Sequence, residues 1–247
     1  MSTLATVRTT CTRCGGVVEG EVAIVVNLDR RPDLREAVLR GDFNRLGCTA
    51  CGHRMTVVRT VALVDFGRHH WLHAYPEWAE VHWADLARAT ERAVHRNLAF
   101  AAPPALRESL GDLRTRVVFG YDALREKFVA WDAGIDDAQL EIAKVGLLAG
   151  RPEWAAARLL LWEVTPDELR WVVIHREAER LVTSRDALLA DALPPGLSRL
   201  DLQADPFVSC RRWFVTPRRA DPLAFDLHGQ RHAHAGGAAL RAPFDDV

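Results

Sequence analysis

The sequence lacks any hydrophobic run that could span a membrane. A membrane helix needs about 18 or more consecutive apolar residues, and no stretch of the 247 residues approaches that length. The opening segment, MSTLATVRTT, also lacks the apolar centre of a signal peptide. These two absences argue against membrane insertion and secretion, and they predict a cytoplasmic protein.

The sequence also lacks an excess of charge of one sign, since 32 basic and 33 acidic side chains give a formal net charge of -1. A dedicated nucleic-acid binder normally carries a basic field, so this balance argues against nucleic acid as the partner. Lysine is nearly absent, because Lys127 and Lys144 are the only two lysines. The dominance of arginine, together with abundant alanine, is typical of codon bias rather than of a mechanism.

The short motifs of common nucleotide-binding and hydrolytic enzymes are missing as well. The sequence contains no Walker loop, GxGxxG, GxSxG or HExxH. This excludes the usual nucleotide and zinc-protease interpretations, although many active sites carry no short motif. A composition of 49% hydrophobic and 26% charged residues is that of a globular protein with one large or two small domains.

A repeated cysteine motif is the most specific feature that the sequence does contain. Two segments, CTRCG and CTACG, each hold a pair of cysteines with two residues between them, and 33 residues separate the pairs. Such pairs in a reducing compartment are more often metal ligands than disulfides. Gly15 and Gly52 come directly after the pairs and allow a positive φ that aims backbone amides at the sulfurs. The pattern predicts a tetrahedral site formed by Cys11, Cys14, Cys48 and Cys51.

Zinc is the metal that we expect at this site, with iron as the alternative because rubredoxin-type sites use the same four thiolates. A zinc ion with four protein ligands has no open position for a substrate, so the expected role is structural. His53 lies two residues after Cys51 and is an alternative ligand. Unmetallated buried thiols or a redox dithiol are the remaining alternatives.

Several segments resemble one known family. The knuckles CTRCGG and CTACGH, the intervening EVAIVVNLDRRPDLREAVLRGDFNRLGC and the subsequent HHWLHAYPEW are similar to the CpXC domain, a zinc-ribbon-like bacterial and archaeal family. The resemblance covers roughly residues 7–131, and LREKFVAWDAGIDDAQLEIAK resembles the region after the knuckles in longer members. Thr12 and Thr49 stand where the family's lead pattern has proline. The resemblance implies a fold and a metal, and it implies no reaction.

Hydrophobic periodicity predicts an α+β protein in which a small zinc-ribbon-like antiparallel sheet domain with an inserted helix precedes a second α+β domain. Strands are expected over residues 22–28, 55–66 and 69–75, with a helix from Pro32 to the stop at Gly41. The expected divisions are a zinc-ribbon-like domain over 1–78, a helical connector over 79–112, the α+β domain over 113–205 and an irregular tail over 206–247.

Histidines form two further groups that could bind a metal. His69 and His73 are expected on one face of a strand, with His82 nearby in sequence. Positions i and i+4 of a strand lie about 13 Å apart, so packed or surface histidines are the favoured interpretation. The C-terminal His228, His232 and His234 could bind a metal opportunistically.

An acidic cluster and one remaining cysteine are the other candidates for chemistry. Paired carboxylates could serve acid–base or magnesium chemistry, but Asp136 or Asp137 is expected instead to cap a helix from about residue 136 to 148. Cys210 is followed by two arginines that could lower its pKa, yet an inert cysteine is favoured. The full acidic cluster is Asp132, Asp136, Asp137 and Glu141.

The leading hypothesis is a non-enzymatic protein whose structural metal supports a module for binding a protein partner or forming a homo-oligomer. Eight tryptophans favour large buried or interfacial aromatic area. One alternative is an enzyme with a cleft between the two domains. The other is a zinc ribbon that binds nucleic acid through arginines in or beside the knuckles, namely Arg13, Arg45, Arg54 and Arg59.

Overall fold

A computed structural model describes residues 2–97, 113–154, 157–175 and 177–186. Ten strands lie within these residues: β1 Thr3–Thr10, β2 Val17–Asn27, β3 Arg45–Gly47, β4 Arg54–Thr56, β5 Val61–Asp65, β6 His70–Tyr75, β7 Arg114–Phe119, β8 Arg158–Val164, β9 Glu168–Ile174 and β10 Ala178–Ser184. Four α-helices accompany them: α1 Pro32–Arg40, α2 Trp83–Arg96, α3 Tyr121–Asp132 and α4 Asp137–Ala149. Short 3-10 turns span Glu77–His82 and Pro152–Trp154.

The largest sheet is mixed, with five strands in the order β1-β2-β5-β6-β7. β1 and β2 are antiparallel, as are β5 and β6, whereas β2 runs parallel to β5 and β6 parallel to β7. The expectation of an antiparallel sheet is therefore wrong. Parallel neighbours need a crossover connection, and α1 with the β3–β4 hairpin supplies one between β2 and β5.

Helices cover both faces of this sheet near β6 and β7. Leu72 of β6 and Val118 of β7 join a buried cluster with Leu124 and Phe128 of α3. The opposite faces of the same strands pack against α2, in a cluster that includes Tyr75 and Ala87. Burial on both sides explains why β7 ends in an unbroken apolar run rather than alternating with polar residues.

A second, antiparallel sheet has the order β10-β9-β8 and packs against α3 and α4. Its core includes Leu161 and the fully buried Trp171, which meet Ala130 of α3 and Leu140 of α4. α3 thus lies between the two sheets. β7 lies after the expected boundary at residue 112, yet it pairs with β6 and belongs to the large sheet. The four-part division at 78, 112 and 205 remains a prediction.

Local signals in the sequence set the ends of the helices. α1 begins at Pro32 and ends at Gly41, whose φ of 74° is left-handed. Asp136 caps α4, because its side chain accepts a hydrogen bond from the Gln139 amide at 2.8 Å while the Gln139 side chain accepts one from the Asp136 amide at 3.2 Å. Both boundaries confirm the sequence prediction. Among the described residues, no helix is both long and apolar enough to cross a bilayer.

Candidate metal centre

Two hairpin turns of the same geometry present the cysteines. The first turn joins β1 to β2, and the second joins β3 to β4. The Cys11 amide donates to the Gly16 carbonyl at 2.7 Å, and the Cys48 amide donates to the His53 carbonyl at 2.8 Å. The same six-residue turn is therefore used twice, as expected from the repeated motif.

The glycine after each cysteine pair has the predicted left-handed backbone. Gly15 has a φ of 73° and Gly52 a φ of 71°. The amides of these glycines close their turns on the Cys11 carbonyl at 3.0 Å and the Cys48 carbonyl at 2.8 Å. A side chain would strain this conformation, so glycine is favoured at both positions.

The two turns bring all four cysteine sulfurs together. The sulfurs of Cys11 and Cys51 lie 3.7 Å apart and those of Cys14 and Cys48 lie 3.6 Å apart, and the whole set lies within 4.8 Å. A tetrahedral ion with metal–sulfur bonds of about 2.3 Å needs sulfurs about 3.8 Å apart. A disulfide would need about 2.05 Å, and these cysteines are free. The four cysteines are placed to hold a metal ion.

Backbone amides favour a thiolate at this site, but four thiolates crowd one another. Hydrogen bonds from the amides of Arg13 and Cys14 lower the pKa of Cys11 to about 6. The Gly16 amide also lowers the pKa of Cys14, yet the thiols of the other turn outweigh it and raise that pKa to about 12. A bound cation would offset the negative charge of neighbouring thiolates and would favour the ionised form of Cys14.

The first cysteine of each pair is buried and the second lies nearer the surface. Cys11 and Cys48 are each 2% exposed and form a small core with Val18, whereas Cys14 and Cys51 are exposed. His53 does not join the cluster, since its Nε2 lies 3.3 Å from the Thr12 hydroxyl. Four sulfurs complete a tetrahedron, so the geometry favours the cysteines over a histidine ligand.

Asn44 and Tyr121 connect the second turn to the large sheet and to α3, and no local pattern in the sequence signalled them. The Asn44 side chain pairs with the backbone of Ala23 on β2, accepting from its amide at 2.8 Å and donating to its carbonyl at 3.0 Å. It also donates to the Tyr121 hydroxyl at 3.0 Å, and the Arg59 amide donates to the same hydroxyl at 3.0 Å. This contact positions the cysteine turns relative to the rest of the fold.

We expect Tyr121→Phe to lower the free energy of unfolding by about 1–3 kcal/mol, because it removes the acceptor for the Arg59 amide and for one hydrogen bond from the Asn44 side chain. Urea denaturation of the metal-loaded protein would measure this loss. Tyr75→Phe is a matched control with a smaller expected effect, because that hydroxyl contacts side chains and no backbone amide. Equal losses in the two variants would contradict the role given to Tyr121.

The histidine group after the second turn does not converge. His69 lies in the turn before β6 with a φ of 57°, so its expected place within the strand is wrong. His73 lies 3.2 Å from the Thr90 hydroxyl on the α2 side, whereas His70 stacks on Trp131 with ring centroids 3.9 Å apart. Burial lowers the pKa of His70 and of His73 to about 4. Packing is thus the role of His70 and His73.

Within the residues that the structure describes, the cysteines form the only metal-compatible group of three or more histidine, cysteine or acidic side chains. A second site at His69, His73 and His82 is therefore not assembled. The tail candidates lie outside the described residues, namely Cys210, His228, His232 and His234.

The acidic cluster separates into distinct roles. Asp136 caps α4, and Asp132 pairs with Arg35 of α1 at 2.5 Å. Asp137 and Glu141 are buried inside a larger ionic arrangement. These roles account for the four carboxylates without an open catalytic pair.

That arrangement, here called the ionic core, consists of six charged side chains that are each at most 4% exposed: Arg116, Glu126, Lys127, Asp137, Glu141 and Lys144. Asp137 accepts from Arg116 Nε at 2.5 Å and from Lys127 Nζ at 2.8 Å, and Trp131 Nε1 donates to it at 3.2 Å. Both lysines of the chain belong to this core. Three positive and three negative groups make it neutral.

The charges of the ionic core alternate in space. Lys127 lies 3.9 Å from Glu141, which pairs with Lys144 at 2.9 Å, and Lys144 pairs with Glu126 at 2.7 Å. The other oxygen of Glu126 accepts from the Leu161 amide on β8 at 2.6 Å. The ionic core therefore links β7, α3, α4 and β8, and it joins the large sheet to the second sheet.

Two of the arginines near the cysteine turns, Arg45 and Arg54, share an acidic partner with Arg40 of α1. Arg45 and Arg54 lie 3.7 and 3.5 Å from Asp42, and Arg40 lies 3.8 Å from it. The Arg59 backbone is held by Tyr121. A carboxylate at the centre of this group weakens the positive field that nucleic-acid binding needs.

A family model with the description "CpXC protein" matches residues 9–144. The match contains all four clustered cysteines and every member of the ionic core, and it ends within α4. Neither a curated protein nor a solved structure matches the chain.

Proposed function

The chain belongs to the CpXC family, and from that premise we propose that it is a non-enzymatic zinc protein. In this proposal Cys11, Cys14, Cys48 and Cys51 hold one structural zinc ion, and the ion fixes two hairpins of a cytoplasmic module for protein interaction or self-association. The observation that carries the proposal is the spacing of 3.6 and 3.7 Å between paired sulfurs of the two turns.

The donor set supports a structural ion. Four thiolates fill the tetrahedral shell of zinc and leave no position for a substrate or a water molecule. Each turn is closed by hydrogen bonds of its own backbone, and an ion bound by both turns would join the β1–β2 hairpin to the β3–β4 hairpin. A site rich in thiolates is suited to a reducing compartment, which supports the cytoplasmic assignment.

A non-enzymatic role is supported by the way the candidate catalytic groups are used. The buried carboxylates Asp137 and Glu141 are neutralised by cations, and His73 is held by hydroxyl groups on the opposite face of the sheet. These groups lie in separate environments rather than around one cleft.

Elemental analysis of the protein, purified without added metal and washed with a weak chelator, tests the metal assignment. We expect one zinc per chain, and we expect Cys14→Ser to lose it because serine does not replace a thiolate ligand. Cys210→Ser is the matched control, since it removes the one cysteine outside the cluster, and it should retain the zinc. Iron in place of zinc in the native protein would contradict the assignment of the metal. Retention of the metal by Cys14→Ser would contradict the assignment of its ligands.

A further inference from the structure

β1 lies at one end of the order of the described strands in the large sheet, and its side away from β2 is here called the open edge. It pairs with β2 along all of its eight residues, and no described strand pairs with its other side. Eight residues exceed the five or six that are typical of strands. This edge is therefore long enough to accept another strand.

The backbone groups on the open edge can be assigned from the ladder. In an antiparallel pair, hydrogen-bonded and non-hydrogen-bonded positions alternate. The Cys11 amide bonds to the Gly16 carbonyl, so the odd-numbered residues of β1, such as Val7 and Thr9, bond to β2. The amides and carbonyls of the even-numbered residues, including Thr6 and Arg8, consequently point away from β2.

β1 carries few of the features that normally protect an edge strand. Natural edges are blocked by proline, by lysine or other charges, or by bulges, whereas the strand sequence TLATVRTT has no proline and no lysine. Its one charge, Arg8, pairs with Glu19 at 3.0 Å. The single irregularity of the ladder lies at its start, between Thr3 and Leu4.

We propose that β1 pairs antiparallel with β1 of a second copy of this chain, so that the two large sheets join into one. A two-fold axis at Val7 places Thr6 opposite Arg8 of the other copy. In this register, residues whose backbone amides and carbonyls point away from β2 face each other and can form hydrogen bonds between the two copies. It also keeps the two Arg8 side chains from lying directly opposite each other, where like charges would repel. The same strand on both copies makes a closed dimer.

This inference deepens the self-association part of the proposed function by naming the partner and the contact. A failure of the dimer proposal can be distinguished from a failure of the zinc proposal, because the first is measured by mass in solution and the second by zinc content. The open edge involves backbone groups of β1, whereas metal content depends on the cysteine turns at the end of that strand.

Light scattering on Thr6→Pro and Thr6→Val tests the dimer. Proline removes an amide that points away from β2, and two inter-strand hydrogen bonds are lost per dimer, so we expect the dissociation constant to rise about 10- to 100-fold. Valine keeps the amide and a β-branched side chain, so the dimer should persist. The wild-type mass should be twice that of the 27.6 kDa chain, and zinc content should be the same in all three proteins.

Hydrogen exchange in the wild-type protein provides a second measurement that needs no variant. The amides of Thr6 and Arg8 should exchange slowly at high protein concentration and fast at low concentration, while those of Val7 and Thr9 stay protected in both. A wild-type chain that remains monomeric at the highest concentration would overturn the inference. A Thr6→Pro dimer of unchanged affinity would also overturn it.

Discussion

We expect Asp137→Asn to lower the free energy of unfolding by about 3–5 kcal/mol, because it leaves two buried cations with one fewer counter-charge. Asp137 is 1% exposed and contacts both Arg116 and Lys127. Asparagine has the same shape, so the loss reports charge rather than a cavity. Urea denaturation of the metal-loaded protein near neutral pH measures it.

Asp136→Asn is the matched control for this prediction. The two aspartates are adjacent, but Asp136 caps α4 through its side chain, and asparagine caps helices about as well as aspartate. We therefore expect the stability of this variant to be close to that of the wild type. A small loss in Asp137→Asn, similar to that in Asp136→Asn, would show that the ionic core does not hold the two sheets together.

The same substitution changes how stability depends on pH. Burial alone would raise the pKa of Asp137, but the ammonium group of Lys127 and the guanidinium group of Arg116 outweigh burial and hold it well below its usual value. Because the folded-state pKa is lowered, the stabilisation is present above the unfolded-state pKa of about 3.9 and is lost as the pH falls below it. Asp137→Asn should therefore show a shallower loss of stability in acid than the wild type.

We expect removal of the proposed zinc ion by a strong chelator to lower the melting temperature by about 8–16 °C. A ligand present at about 1,000 times its dissociation constant contributes about 4 kcal/mol to stability, and for a chain of this size each kcal/mol corresponds to about 2–4 °C. Differential scanning calorimetry with and without the chelator measures the shift. Cys48→Ser should reproduce it without chelator, because Cys48 is buried in the cluster.

The loss of stability on removal of the metal should be concentrated at the cysteine turns. β3 and β4 have three residues each, and a hairpin of this size is not stable alone. Hydrogen exchange should therefore show that residues 45–56 lose protection without metal while the ionic core keeps it. Cys210→Ser serves as the control with no expected change. A melting temperature that the chelator leaves unchanged would refute a structural ion.

The cysteine turns could be predicted from the sequence because their geometry is local. Two residues between cysteines and a glycine after them determine one turn, and the repeated motif predicts two equal turns. The cap at Asp136 and the helix stop at Gly41 were predictable for the same reason. Each depends on hydrogen bonds that span only a few residues.

The mixed sheet and the ionic core could not be predicted because they depend on distant pairings. β6 lies beside β7 across a connection of 38 residues, and periodicity carries no information about strand order. Charged residues on α3 and α4 would normally indicate solvent-exposed faces. Lys127, Lys144 and Glu126 are nevertheless buried, in an ionic core that includes Arg116 of β7 and contacts the Leu161 amide of β8.

Burial of both lysines has a consequence for chemical modification. Lys127 and Lys144 are each 4% exposed, and they are the only lysines in the chain. The folded protein therefore offers amine-reactive reagents no accessible side-chain amine, and acetyl or ubiquitin transfer to a lysine requires the ionic core to open. The rate at which these two amines become labelled would accordingly report how often the two sheets separate.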